Sequence, residues 1–198
     1  MQKCLSPNFL ILLLLFTACR ARNTGSAQRV DQAEESQTFF PVTDFILGQL
    51  RELDSIPITP LQISISGGKK DSVWISKKDI RKFTVPFLNP VIDSVKMSNF
   101  FSEKSFMDQT LNAVTLTYDP KTRIPDSIKL THWDIYINPK LNTVDRIYMV
   151  KEEIQNEKTV TTQLTWVAGK WCSIRKISQQ PKMLPEVHEE ILKWNFDD

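Results

Sequence analysis

The sequence predicts an α+β domain in which N-terminal helices pack on a curved antiparallel meander of about five strands, with an extra short hairpin. Two observations carry this. Apolar residues recur at helical spacing at Val42, Phe45, Ile46, Leu50 and Leu53, and the second half holds five segments rich in Val, Ile, Thr, Tyr and Trp with short turns between them.

The first helix is expected over about 41–53, opened by Pro41 and closed before Pro57. Residues 61–66 alternate, Gly67-Gly68-Lys69-Lys70 turns, and 72–75 resume an apolar run, which predicts a hairpin. Ser76-Lys77-Lys78-Asp79 has the spacing of a capping box for a second helix through about Val85, with Pro86 and Pro90 as breakers. A short helix is read at 99–107. Strands are expected at 111–118, 127–137, 144–154, 159–167 and 170–177, and a terminal helix at 185–194. Along 159–167, Val160, Leu164 and Trp166 share one side and Thr159, Thr161, Gln163 and Thr165 the other, the pattern of a sheet with one wet face. Residues 127–137 carry apolar groups on both sides, which predicts a strand covered twice or lining a cavity.

Composition narrows the function classes. The chain has 198 residues, and Lys+Arg 25 against Asp+Glu 23 leaves a net charge of +2, which is no electrostatic footprint for nucleic acid. Gly67-Gly68-Lys69-Lys70-Asp71 lacks the earlier Gly and the hydroxyl residue of a phosphate loop. There is no G-x-S-x-G, no C-x-x-C, and His188 is followed by Glu189-Glu190-Ile191-Leu192 rather than by a zinc-protease pattern, so it reads as part of a solvated helix face. No cofactor or metal is expected. No catalytic residue is assigned.

The N-terminus carries an address. Met1-Gln2-Lys3 is polar and positive, and residues 9–16 are unbroken apolar before Thr17-Ala18-Cys19. A membrane-spanning helix needs about 20 apolar residues, and Arg20 and Arg22 end the run too early. Phe16-Thr17-Ala18-Cys19 resembles the lipobox of bacterial lipoproteins, with Phe16 where a branched aliphatic is usual. The resemblance implies that residues 1–18 are a signal peptide and that Cys19 is acylated, making the membrane a partner through Cys19. It implies a cell-envelope location. Arg20 and Arg22 replace the acidic residues typical of surface-exported Bacteroidota-type lipoproteins, and position 20 is not Asp, which together point to the outer membrane facing the periplasm.

Residues 19–37 form an anchored tether, because Val30 is the only large aliphatic among residues 20–37. A flexible chain of that length spans about 25 Å on average. The remaining 38–198 is read as a single domain, large enough to bury about 70% of its unfolded surface without disulfides. Its only thiol is Cys172, which reads as a small buried apolar group.

One polar pair stands out. His132 and Asp134 are two apart on an expected strand and share a face with Tyr136. They are a candidate metal corner or general base without a visible third ligand, and a half-buried polar pair is the default reading. The leading functional expectation is a non-enzymatic, lipid-anchored envelope protein that binds a protein partner or contributes to an assembly. The alternative is a carrier or sensor of a small apolar ligand held between helices and sheet, since the layout resembles lipoprotein-carrier half-barrels and cystatin-like cones at fold level only.

Overall fold

The computed structural model describes residues 38–197, so the signal peptide, Cys19 and the tether lie outside the described residues. Helix α1 (Val42–Ser55) turns Val42, Ile46, Leu50 and Leu53 inward. Strands β1 (Leu61–Ser66) and β2 (Lys69–Trp74) form the expected hairpin, whose turn places Gly67 and Gly68 at φ +54° and +76°, where a side chain would be strained. Helix α2 (Lys77–Leu88) buries Ile80, Thr84 and Phe87, and α3 (Ser94–Met97) is a single turn. There follow β3 (Phe101–Asp108), β4 (Ala113–Pro120), β5 (Leu130–Asn138), β6 (Thr143–Gln155), β7 (Lys158–Val167), β8 (Trp171–Gln179) and β9 (Glu186–Lys193).

All nine strands belong to one antiparallel sheet, ordered β2-β1-β9-β8-β7-β6-β5-β4-β3. The expected α+β arrangement of helices on a five-stranded meander is therefore overturned. Among the described residues strand makes up 48% and helix 18%, and the fold is dominated by the one sheet.

Two segments read as helical account for the difference. The 99–107 segment forms β3, whose eight residues pair along their whole length with β4. The 185–194 segment contains β9, which pairs with β8 on one side and β1 on the other and so joins the hairpin to the meander. Glu-Val-His-Glu-Glu-Ile-Leu-Lys has no strong strand propensity, but a central position between two ladders satisfies its backbone on both sides, and tertiary context outweighs a weak local preference. His188, Glu189 and Glu190 consequently lie on a strand, in register with Lys176, Arg175 and Ile174.

Two smaller expectations also change. Ser76 sits at the N-cap of α2 without a side-chain capping bond, so the capping box is not made, and the helix continues past Pro86 to Leu88. The doubly apolar pattern of 127–137 reflects a register shift between Leu130 and His132. An extra residue at a bulge reverses the alternation, so Leu130 reaches the same core as Trp133 and Ile135 despite its parity.

The core lies between the helices and one sheet face. Across the strands, Tyr118, Trp133, Met149, Leu164 and Ile174 occupy one cross-strand row. Ile135, Ile147, Trp166, Cys172 and Leu192 occupy the next. Tyr118 stacks on Trp133 at 4.5 Å between ring centres, with Phe39 and Phe101 edge-on, while Trp166 meets Phe87 of α2 at 5.5 Å and Trp194 at 5.4 Å. Three polar contacts fix the cover. The Thr43 hydroxyl accepts from the Ile92 amide at 2.9 Å, Gln49 Oε1 accepts from the Gly169 amide at 2.9 Å, and the Lys151 ammonium donates to the carbonyls of Pro86 and Asn89 at the end of α2. Cys172 is fully buried, and burial pushes its thiol pKa up.

Candidate functional site

The helices cover one face, and the polar pair lies on the other. Register aligns two rows there: Val167, Arg146, Tyr136, Thr115 and Phe106, and beside it Thr165, Tyr148, Asp134, Thr117 and Lys104. The uncovered face therefore mixes rings, hydroxyls and charges.

His132 is the centre of a four-member charge chain. Its Nδ1 lies 3.0 Å from Asp119 Oδ1 and its Nε2 lies 3.0 Å from Asp134 Oδ2. Lys104 closes one end through Asp119 at 3.1 Å, and at the other the Thr117 hydroxyl donates to Asp134 at 2.7 Å, with the Tyr136 hydroxyl a longer donor at 3.4 Å. Two carboxylates facing two ring nitrogens are both satisfied only when each nitrogen carries a proton, which is the imidazolium. The hydrogen bond to Asp134 raises the His132 pKa above its ordinary value, with Asp119 adding to it and burial opposing. Burial works against ionisation of Asp134, but the bonds from His132 and Thr117 outweigh it and hold its carboxyl below the usual carboxylate range. Asp119 is likewise lowered, chiefly by Lys104.

This geometry decides what the pair can do chemically. In the protonated form that this geometry favours, both ring nitrogens are engaged and neither offers a lone pair to take a proton or bind a metal. Among the described residues, no group of three or more His, Cys, Asp and Glu could hold a metal ion. His132, with 28% of its side chain exposed, and Asp134, with 14%, act on their neighbours by fixing charge and position.

Next to the chain, Asp134, Tyr136, Arg146, Tyr148 and Thr165 line a hollow of about 320 Å³. The Arg146 guanidinium lies over the Tyr136 ring, 4.1 Å from its centre, a cation–π contact that holds it in place. Burial, reinforced by the charge of Asp134, raises the pKa of both Tyr136 and Tyr148, so both phenols keep their protons at neutral pH.

Compared with known protein families, characterised proteins and solved structures, the chain matches none.

Of the residues the sequence singled out, the structure brings His132, Asp134 and Tyr136 together as same-face neighbours. It adds Asp119, Thr117 and Lys104 from β3 and β4, and Arg146, Tyr148 and Thr165 from β6 and β7, none of which sequence reading singled out as site residues. Their placement depends on pairing between strands, and only the alternation within each strand signalled which face they would take. Cys172 is away from this face, in the core.

Proposed function

We propose that the protein is a lipid-anchored, non-enzymatic component of a bacterial cell envelope whose head binds a partner through the uncovered face of its sheet. The observation that carries the reading is the division of the sheet: one face is filled by helices and a dense aromatic core, and the other presents a half-buried array of rings and fixed charges with no covering element among the described residues. The engaged nitrogens of His132 favour a binding role over proton transfer. The residues 9–19 pattern supports the anchor, with acyl chains on Cys19 holding the head to the outer membrane on its periplasmic side.

The apolar-carrier alternative gains nothing from the geometry. The volume between helices and sheet, where such a ligand would sit, is occupied by Trp133, Trp166, Phe87 and their neighbours.

The test has two arms. Cys19→Ser should move the protein from the membrane fraction to the soluble or unprocessed pool and abolish fatty-acid labelling; continued labelling defeats the anchor. A photoactivatable side chain at Thr165 should yield adducts in the native host that the same group at Lys78, an exposed position on α2, does not. Equal adducts from both positions, or none from Thr165, defeat the assignment of the binding face.

A further inference from the structure

We infer that the hollow beside the charge chain is a saccharide site that takes a neutral sugar ring. This deepens the reading of the uncovered face by giving its partner a chemistry, and it rests on that reading.

The walls of the hollow select its ligand by their composition. Every one of the five lining side chains, Asp134, Tyr136, Arg146, Tyr148 and Thr165, carries a polar head, and none is aliphatic. An apolar ligand would strip water from the Asp134 carboxylate and the Arg146 guanidinium without replacing its hydrogen bonds, which costs free energy. A simple anion meets the Asp134 carboxylate, which stays ionised through His132 and Thr117. A simple cation meets the Arg146 guanidinium, held at the wall by Tyr136. Opposite fixed charges in one hollow select against ions of either sign.

What fits is a neutral group that donates and accepts from adjacent atoms and also has an apolar side. A pyranose ring has this character. Neighbouring hydroxyls accept from the guanidinium and donate to the carboxylate, whose oxygens have lone pairs left after Thr117 and His132 have donated. Tyr148 and Thr165 are cross-strand partners on β6 and β7, and their hydroxyls can serve either role. The C–H face of the ring lies against a phenol, which brings contact area at little loss of side-chain freedom. The hollow is at the low end of small-molecule sites, which run from roughly 300 to 1,000 Å³, and has room for a ring and part of its neighbour in an oligosaccharide.

Preorganisation supports the assignment. Three strands supply the five side chains, and each charged one is held by a partner outside the hollow or within its wall: Asp134 by His132 and Thr117, Arg146 by the ring beneath it. Groups already fixed lose little entropy on binding.

The experiment is isothermal titration of the full chain, in detergent, with the tetramer of N-acetylglucosamine and with maltotetraose, alongside citrate and spermidine as ionic comparators. At least one oligosaccharide should bind in the millimolar range or tighter, and neither ion should bind comparably. Tyr148→Ala and Arg146→Met should each weaken that binding by roughly tenfold, while near-ultraviolet circular dichroism and the thermal midpoint show that both variants keep the fold; Tyr148→Phe should lose less. No heat from either oligosaccharide at millimolar concentration overturns the inference. So does preferential binding of citrate or spermidine, or oligosaccharide binding that both folded variants retain in full, which would place the sugar elsewhere. Site-specific adducts at Thr165 together with no sugar binding leave the partner-binding face standing and overturn the saccharide alone.

Discussion

His132 is held between Asp119 and Asp134, which favours its imidazolium form, and this makes stability depend on pH in a definite direction. Its folded pKa is raised above the unfolded value, so its contribution is complete below about 6.5 and is lost as pH rises through the folded value. The two aspartates are lowered, so theirs is present above about 3.9 and lost on acidification. By urea denaturation, His132→Gln should cost about 1–2 kcal/mol near pH 6 and clearly less near pH 9. An equal cost at both would mean that the ring is neutral throughout. Lys151 runs the other way: burial holds its ammonium pKa down to about 8, so the folded state gives up a proton that the unfolded chain keeps. Stability from this residue rises between about pH 8 and pH 10.4, and the rise should be missing when Lys151→Met is compared with wild type by the same method. Of this chemistry the sequence exposed only the His132, Asp134 and Tyr136 spacing. Asp119 and Lys104 are separated from them by many residues and arrive through ladder pairing, which no local pattern encodes.

At the scale of elements, α1, α2 and the first hairpin are local events and were readable from periodicity and turn residues. The strands at 101–108 and 186–193 were not. A window of Glu, Lys and Ser with a few apolar residues fits either period when read alone, and β9 becomes a strand because β1 and β8 leave a ladder on each side of it. Glu190→Pro tests this. The ring removes a backbone donor from a central strand, so the variant should lose thermal stability and amide protection should fall first in 61–74, the hairpin that β9 ties to the sheet. Protection falling uniformly across all strands would show instead that the hairpin is not a separable unit. The bulge in β5 is the second decision made above the sequence: one residue of slip carries Leu130 into the core and leaves His132 and Asp134 on the uncovered face.

Taken as a whole, the molecule has a strongly packed side and a receptive one. Trp133 concentrates the first: it is fully buried and contacts the rings of Phe39, Phe101 and Tyr118. Trp133→Ala should cost about 3–5 kcal/mol in unfolding free energy. A loss under 1 kcal/mol, well below that range for a large buried ring, would mean the core collapses around the gap. Arg146→Met, on the receptive side, should leave stability nearly unchanged, because a surface cation–π contact contributes about 0.5–1 kcal/mol. The same substitution should weaken oligosaccharide binding by roughly tenfold, which separates the two faces by measurement.

Read alone, the amino-acid sequence shows the lipobox-like N-terminus, the absence of cofactor and nucleotide motifs, the amphipathic first helix, the hairpin and five of the strands. These are short-range signals, set by runs, spacings and turn chemistry within a few residues. That nine strands make one sheet, that β9 is its junction, and that residues from the five strands β3 to β7 come together at His132 and Asp134 was settled by long-range packing. Strand pairing joins segments far apart in the chain through backbone groups that every residue carries, so its partners are chosen by the whole fold rather than by the side chains of either strand.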